Sequence, residues 1–67
     1  MINKNLLKSK MALKGVLQKD LSKILDISIP SMTQKTNGNI KFKPAEISKI
    51  KDVLSLTNDE VVEIFLS

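Results

Sequence analysis

Apolar residues recur along the chain at helical spacing, in five short stretches that are separated by Gly, Asn, Asp and Ser. The spacing predicts helices over residues 3–13, 18–25, 29–36 and 44–54, and a fifth helix that begins after Thr57. The residues expected to face inward are Leu6, Leu7, Met11, Ala12 and Leu13 in the first helix, Leu21, Ile24 and Leu25 in the second, and Ile47, Ile50, Val53 and Leu54 in the fourth. The pattern predicts an all-α fold.

Residues at the predicted boundaries support these limits. Gly15 is expected to end the first helix, and Ser28 to cap the third, with Pro30 in its first turn. Thr57 and Glu60 have the spacing of a capping box before the fifth helix. Four helix starts also have an apolar pair spaced as a hydrophobic staple: Val16 with Leu21, Ile27 with Met32, Phe42 with Ile47, and Leu56 with Val61.

Length and composition narrow the classes of function. The chain has 67 residues, of which 42% are hydrophobic, so one small folded domain over residues 1–67 is expected. It contains no Cys and no His, which removes the usual zinc ligands and the commonest general base. An enzyme is therefore the least favoured class, and no metal, cofactor or small-molecule substrate is predicted. No apolar run is long enough to span a bilayer or to act as a secretory signal, so a cytoplasmic location is expected.

Charge is distributed unevenly along the chain. Residues 1–51 contain all eleven lysines and three acidic residues, a net charge of +8, whereas residues 52–67 contain four acidic residues and no lysine, a net charge of −4. A basic body with an acidic end suggests a surface that binds a polyanion and a separate interaction end. Chance segregation on a solvated surface is the alternative.

The second and third predicted helices are joined by only three residues, Asp26 to Ser28. Two short helices with such a connection are expected to cross at a wide angle. The third helix has polar residues without acidic charge, Ser31, Gln34 and Lys35, which suits entry into the major groove of DNA. The pattern therefore favours a helix-turn-helix.

The stretch from Leu17 to Ser28 resembles the Cro/repressor-type helix-turn-helix family. That family typically has Thr-Gln-acid-acid-Leu-Ala, three residues ending in Leu, and then Gly-Val-Ser; here the stretch is Leu-Gln-Lys-Asp-Leu-Ser-Lys-Ile-Leu-Asp-Ile-Ser. Asn37-Gly38 falls where the family closes its recognition helix. The remainder, from Phe42 to Phe65, looks like a subgroup of short phage repressors. Leu17, Ser22 and Asp26 depart from the usual hydroxyl cap, Ala and Gly of the family.

The resemblance implies a five-helix lambda-repressor-like DNA-binding domain whose helix-turn-helix is formed by helices 2 and 3. It also implies a bacteriophage transcriptional repressor, in the cytoplasm of a bacterial host, that binds double-stranded operator DNA. The residues expected to read bases are Ile29, Pro30, Ser31, Thr33 and Gln34. The residues expected to contact the DNA backbone are Gln18, Lys35, Asn37, Asn39, Lys41 and Lys43. Alternatives are core packing for Ile29 and a solvated surface role for Gln18 and Lys43.

The predicted fifth helix is apolar around more than half of its circumference, through Val61, Val62, Ile64, Phe65 and Leu66. A helix that packs only on its own core needs a narrower stripe. The excess suggests a homodimer contact through Val62, Phe65 and Leu66, with a frayed end as the alternative. A second hypothesis for function is a module that acts by pairing with another phage regulator. Because the chain stops soon after this helix, we expect a complete small protein.

Overall fold

Five α-helices account for most of residues 2–66, which are the residues that the computed structural model describes. They are α1 (Lys4–Lys14), α2 (Gln18–Leu25), α3 (Ile29–Thr36), α4 (Pro44–Leu54) and α5 (Asn58–Phe65). No strand occurs within the described part of the chain. The all-α prediction is confirmed, and the predicted bounds of α2, α3 and α4 match those observed. The first helix begins and ends one residue later than predicted.

Local hydrogen bonds explain where the helices begin. The Ser28 hydroxyl accepts from the backbone N–H of Ser31 at 3.2 Å at the start of α3. At α5, Thr57 and Glu60 form the predicted reciprocal pair: the Thr57 hydroxyl accepts from the Glu60 N–H at 3.1 Å, and the Glu60 carboxylate accepts from the Thr57 N–H at 2.8 Å. Each bond satisfies one of the N–H groups that a helix start leaves without a partner.

Left-handed backbone conformations end three of the helices. Gly15 has φ 65° after α1, Asp26 has φ 57° after α2, and Ser55 has φ 52° after α4. Glycine adopts this conformation without steric cost, whereas Asp and Ser meet a Cβ penalty. The predicted role of Gly15 is confirmed, and Asp26 and Ser55 are two further positions of the same kind.

The core is made of aliphatic side chains that come from all five helices. Its buried members are Leu7, Met11, Leu21, Leu25, Met32, Ile50, Leu54, Leu56 and Ile64. Of the predicted staple residues that precede a helix, Leu56 is thus part of the core, and Val16, Ile27 and Phe42 pack against it. Phe42 and Phe65 meet edge to face at the rim of this core, with ring centroids 5.2 Å apart. The backbone N–H of Asn3 donates to the carbonyl of Ile64 at 2.7 Å, which fastens the start of the chain to α5.

Three apolar side chains predicted to face inward are exposed instead. Leu13 is 75% exposed, Ile24 is 39% exposed, and Ala12 also lies at the surface. In α1 the buried stripe is set by Leu7 and Met11, and Leu13 lies about 200° around the helix from Met11. In α2 the buried face passes through Leu21, Ser22 and Leu25, which leaves Ile24 at its edge.

The pair α2 and α3 packs closely across the short connection at Asp26–Ser28. Ser22, which stands where the family pattern has Ala, is buried. Its hydroxyl donates to the carbonyl of Lys19 at 2.7 Å, so this buried polar group has a hydrogen-bond partner. The helix α2 also packs against α4. No helix within residues 2–66 has the length and apolar character needed to cross a bilayer.

Candidate nucleic-acid interface

The outward face of α3 carries most of the predicted base-reading residues. Met32, Lys35 and Thr36 form its buried face. Opposite them, Ile29, Pro30, Thr33 and Gln34 are exposed, and Ser31 is half-buried. Ile29 is 54% exposed, which disfavours the alternative that it is a core residue. The face available to a partner therefore combines two apolar groups near the start of the helix with polar groups further along.

The start of α2 lies beside this face. The Gln18 side-chain amide donates to the Thr33 hydroxyl at 3.0 Å, although the two residues are fifteen positions apart in the chain. The structure thus brings together the predicted phosphate contact, Gln18, and one of the predicted base readers. One amide hydrogen of Gln18 and its backbone N–H at the helix terminus can still face an anion.

The start of α2 also shows how a poor cap is tolerated. Leu17 occupies the capping position and has no side-chain oxygen to offer. The Asp20 carboxylate compensates by accepting from the Leu17 backbone N–H at 2.9 Å. An acidic group in the first turn also complements the helix dipole. The departure of Leu17 from the family pattern therefore leaves the helix start intact.

Gln34 is held by a neighbour that sequence reasoning assigned to a different role. The Asn39 side-chain amide donates to Gln34 Oε1 at 2.8 Å. The backbone of the turn supports this contact, because the Gln34 carbonyl accepts from the N–H groups of Asn39 and Ile40 at 2.9 and 3.3 Å. A glutamine reads adenine by accepting from N6 and donating to N7. Asn39 occupies one lone pair of Oε1 and leaves the other lone pair and the NH₂ group available, so it orients Gln34 without blocking it.

Lys35 was predicted to contact the DNA backbone, and the structure contradicts this. Its side chain is buried, with 6% of the residue exposed, and the ammonium forms an ion pair with Glu46 Oε1 at 2.9 Å. The same ammonium donates to the Lys41 carbonyl at 3.2 Å and lies 5.9 Å from the centre of the Phe42 ring. With its hydrogen bonds directed inward, Lys35 has no reach to a phosphate.

The prediction failed because it considered the charge of Lys35 and not the side of α3 on which the residue lies. Lys35 follows Met32 by three residues and precedes Thr36, and both of these are buried, so it shares their side of α3. The partner could have been suspected from Glu46, which stands at the third position of α4, where a carboxylate commonly bonds back to the helix start. Glu46 was absent from the predicted site.

Glu46 joins α3, the loop and α4 at one oxygen. Its Oε1 accepts from the Lys35 ammonium at 2.9 Å and from the backbone N–H of Lys43 at 2.8 Å. Burial raises the pKa of this carboxyl, but the hydrogen bonds from Lys35 and from the Lys43 backbone, together with the charges of both lysines, outweigh burial and hold the pKa below its ordinary value of 4.5. The carboxylate is therefore charged in the folded protein at neutral pH.

The loop after α3 presents the remaining predicted backbone contacts. Asn37, Asn39, Lys41 and Lys43 are all exposed. Lys43 stands at the capping position of α4, where its side chain cannot accept a hydrogen bond. Because the Glu46 carboxylate lies within the same helix turn, it balances the unfavourable effect of the Lys43 cation on the helix dipole. Lys43 and Asn37 are thus free to point toward a polyanion, with the loop held from behind by Lys35 and Glu46.

The predicted dimer residues divide into two kinds. Val62 is 51% exposed and Leu66 is 69% exposed. Phe65 is half-buried and packs edge to face against Phe42, so much of its surface is already covered by the chain's own core. Within residues 2–66 there is no cluster of three side chains that could hold a metal ion.

Comparisons with models of known protein families, with curated proteins and with solved structures find no match to this chain.

Proposed function

We propose that this protein is a sequence-specific DNA-binding regulator, of the type found in phage Cro and repressor proteins, that acts as a dimer. In this proposal α2 and α3 form a lambda-repressor-like helix-turn-helix, and α3 is the helix that enters the major groove. The observation that carries the proposal is the exposed face of α3, where Gln34 is oriented by Asn39 and Thr33 is bonded to Gln18 at the start of α2.

The roles follow from the chemistry of each exposed group. Gln34 pairs with an adenine, while Ile29 and Pro30 make apolar contacts with a thymine methyl group. Gln18 and the start of α2 bind one phosphate, and Lys43 with Asn37 binds the backbone on the other side of α3. The outward face of α3 has no acidic side chain to repel phosphates. A dimer places two such helices about one helical turn apart, roughly 34 Å.

The test starts from a random duplex library, because the operator sequence is unknown. Selection on the purified protein at low salt is expected to enrich one two-fold related sequence. Gln34→Ala should weaken binding to that duplex by about tenfold or more, the usual magnitude for a bidentate base contact, and leave binding to unrelated duplexes unchanged. Asn5→Ala is the matched control, since Asn5 is an exposed amide on α1, far from α3 in the sequence.

Salt dependence tests the backbone contacts separately. For the selected duplex, the slope of log K against log salt concentration measures how many phosphates are neutralised. Lys43→Ala should reduce that slope by about 1, whereas Lys8→Ala, at an exposed lysine of α1, should leave it unchanged. Failure to enrich any sequence, together with equal affinity of the native chain and Gln34→Ala for every duplex, would count against the proposal.

A second candidate function is supported by the apolar groups on the surface. Four exposed residues offer little hydrogen bonding: Ile29 and Pro30 at the start of α3, Val62 on α5, and Leu66 directly after α5. These groups suit pairing with another regulatory protein. This alternative predicts that no duplex is enriched and that a phage repressor added to the protein elutes with it as a stable complex in size-exclusion chromatography.

A further inference from the structure

An open pocket of about 340 Å³ lies between the start of the chain, the α3–α4 loop and the end of α5. Six apolar side chains line most of it: Ile2, Ile40, Phe42, Ile47, Phe65 and Leu66. The Ile2 side chain lies against Gly38, which has φ 84°; a Cβ at this position would come within 3.3 Å of Ile2 Cγ2. The pocket is therefore a formed apolar feature, and it opens at the surface beside Ile40, which is 47% exposed.

The edge of this pocket is positively charged. Among residues 2–66, Lys35 and Lys41 are the only charged residues that line it. The Lys35 ammonium is already neutralised by Glu46, whereas the Lys41 side chain is exposed and forms no ion pair within residues 2–66. The pocket thus fits a segment that combines apolar side chains with a carboxylate.

The outward face of α5 has this chemistry. Asp59, Val62, Glu63 and Leu66 follow one another at intervals of three, one and three residues, which places all four on one side of the helix. All four are exposed. Leu66 keeps its place on this side because its backbone N–H donates to the Val62 carbonyl at 2.9 Å, which continues the helical pattern. We call this set of four residues the α5 strip.

The α5 strip and the pocket are continuous, since Leu66 belongs to both. A two-fold interface requires one surface that is complementary to itself, so that each copy offers the same two features to the other. A surface with an acidic, apolar strip beside a basic, apolar pocket meets that requirement. The acidic end of the chain and its basic body are matched in the same way.

We propose that two copies of this chain associate through this surface, with Val62 and Leu66 of each copy against the pocket of the other and Glu63 opposite Lys41. The inference deepens the dimer of the proposed function and rests on it. It also assigns Lys41 to the contact between copies instead of to a DNA phosphate, so that Lys43 is the principal lysine of the loop at the DNA. Because only a few residues of each copy make the contact, we expect the free dimer to be weak.

The association is tested by sedimentation equilibrium of the full chain between roughly 5 and 500 μM, a range suited to a weak interface. The native chain should associate reversibly. Leu66→Ala should weaken association by about fivefold or more, whereas Leu13→Ala should leave it unchanged. Leu13 is the matched control because it is an equally exposed leucine at the end of a helix, 75% against 69%.

A charge exchange identifies the partner residues. Lys41→Glu alone and Glu63→Lys alone should each weaken association, and the double variant should restore it, since the pair is then reversed. Lys49→Glu, at an exposed lysine of α4, controls for the change in net charge. Failure of the double variant to recover association above either single variant would overturn the assignment.

Dilution of isotope-labelled protein locates the contact without any substitution. Amide shifts should change in residues 40–42 and 62–66. Changes confined to residues 13–17 or 29–34, or a chain that remains monomeric throughout, would overturn the inference and leave the pocket to a different partner. A monomer that still binds the selected duplex refutes this inference and the dimer, but leaves the proposed reading of DNA by α3 intact. A dimer that binds no duplex refutes the proposed DNA binding and leaves this inference intact.

Discussion

Removing the charge of Lys35 should expose how the loop beside α3 is held. In Lys35→Met, a side chain of similar length replaces the lysine and leaves the Glu46 carboxylate buried without its main partner. Loss of one member of a buried ion pair typically costs about 3–5 kcal/mol. The two side chains retain 7% and 11% exposure, so water can reach them slightly and a cost of about 3 kcal/mol is expected.

The double variant Lys35→Met/Glu46→Gln should recover most of that loss. Glutamine keeps an oxygen that can accept from the Lys43 N–H, and no unpaired charge remains. Its remaining cost should be about 1 kcal/mol, the value of an ordinary hydrogen bond. The difference from the single variant, about 2 kcal/mol, is the cost of leaving the Glu46 charge without its partner. Measuring Glu46→Gln alone completes the double-mutant cycle and gives the coupling between the two side chains.

Urea unfolding followed by circular dichroism measures these changes. A domain of this size has a total stability of roughly 3–10 kcal/mol, so the loss in Lys35→Met is large, about 15 °C in Tm. Lys8→Met, at an exposed lysine of α1, is the control and should stay within about 0.5 kcal/mol of the native chain. A Lys35→Met loss no larger than the control, or a double variant less stable than Lys35→Met, would refute the account of the ion pair.

Three further predictions concern stability. Because the folded-state pKa of Glu46 is lowered, its contribution to the free energy of unfolding is complete above the unfolded pKa of about 4.5 and is lost as pH falls through the lower folded value. Urea midpoints measured from about pH 6 to pH 2 should therefore decline less steeply in Glu46→Gln than in the native chain. Glycine at Asp26 or at Ser55 should each raise stability by about 0.5–1 kcal/mol in thermal unfolding, since both residues have positive φ; no gain at either position would contradict this. Thr36→Val should also stabilise, by about 1 kcal/mol, because the buried Thr36 hydroxyl has no hydrogen-bond partner among residues 2–66; a destabilised variant would point to a partner for that hydroxyl.

The positions of the helices could be predicted because their signals are local. Ser28, Thr57 with Glu60, and Gly15 act through hydrogen bonds and backbone conformations that involve only a few neighbouring residues. The second, third and fourth helices therefore have the predicted limits. Local signals also sufficed for the exposure of Gln34 and Lys43, since exposed polar side chains near helix ends need no distant partner.

Tertiary packing decided which side of each helix is buried and which polar groups meet. Periodicity alone predicted that Ile24 and Leu13 are buried together with their neighbours. In the structure the helices contact one another through Leu21, Leu25, Leu7 and Met11, and Ile24 and Leu13 are exposed. The pairing of Lys35 with Glu46 spans eleven positions and depends on where α4 starts relative to α3. The sequence could suggest the side of α3 on which Lys35 lies and a carboxylate at the start of α4, but not that the two side chains meet.

The same division applies to the candidate site. The all-α pattern, the limits of α2, α3 and α4, and the exposed residues of α3 could be predicted from the sequence, because they follow from spacing and caps. Only the tertiary structure placed Gln18 beside Thr33, set Asn39 to orient Gln34, and formed the pocket beside Leu66. Such contacts depend on how the helices cross and how the loop folds back, and those geometries result from the packing of the whole core.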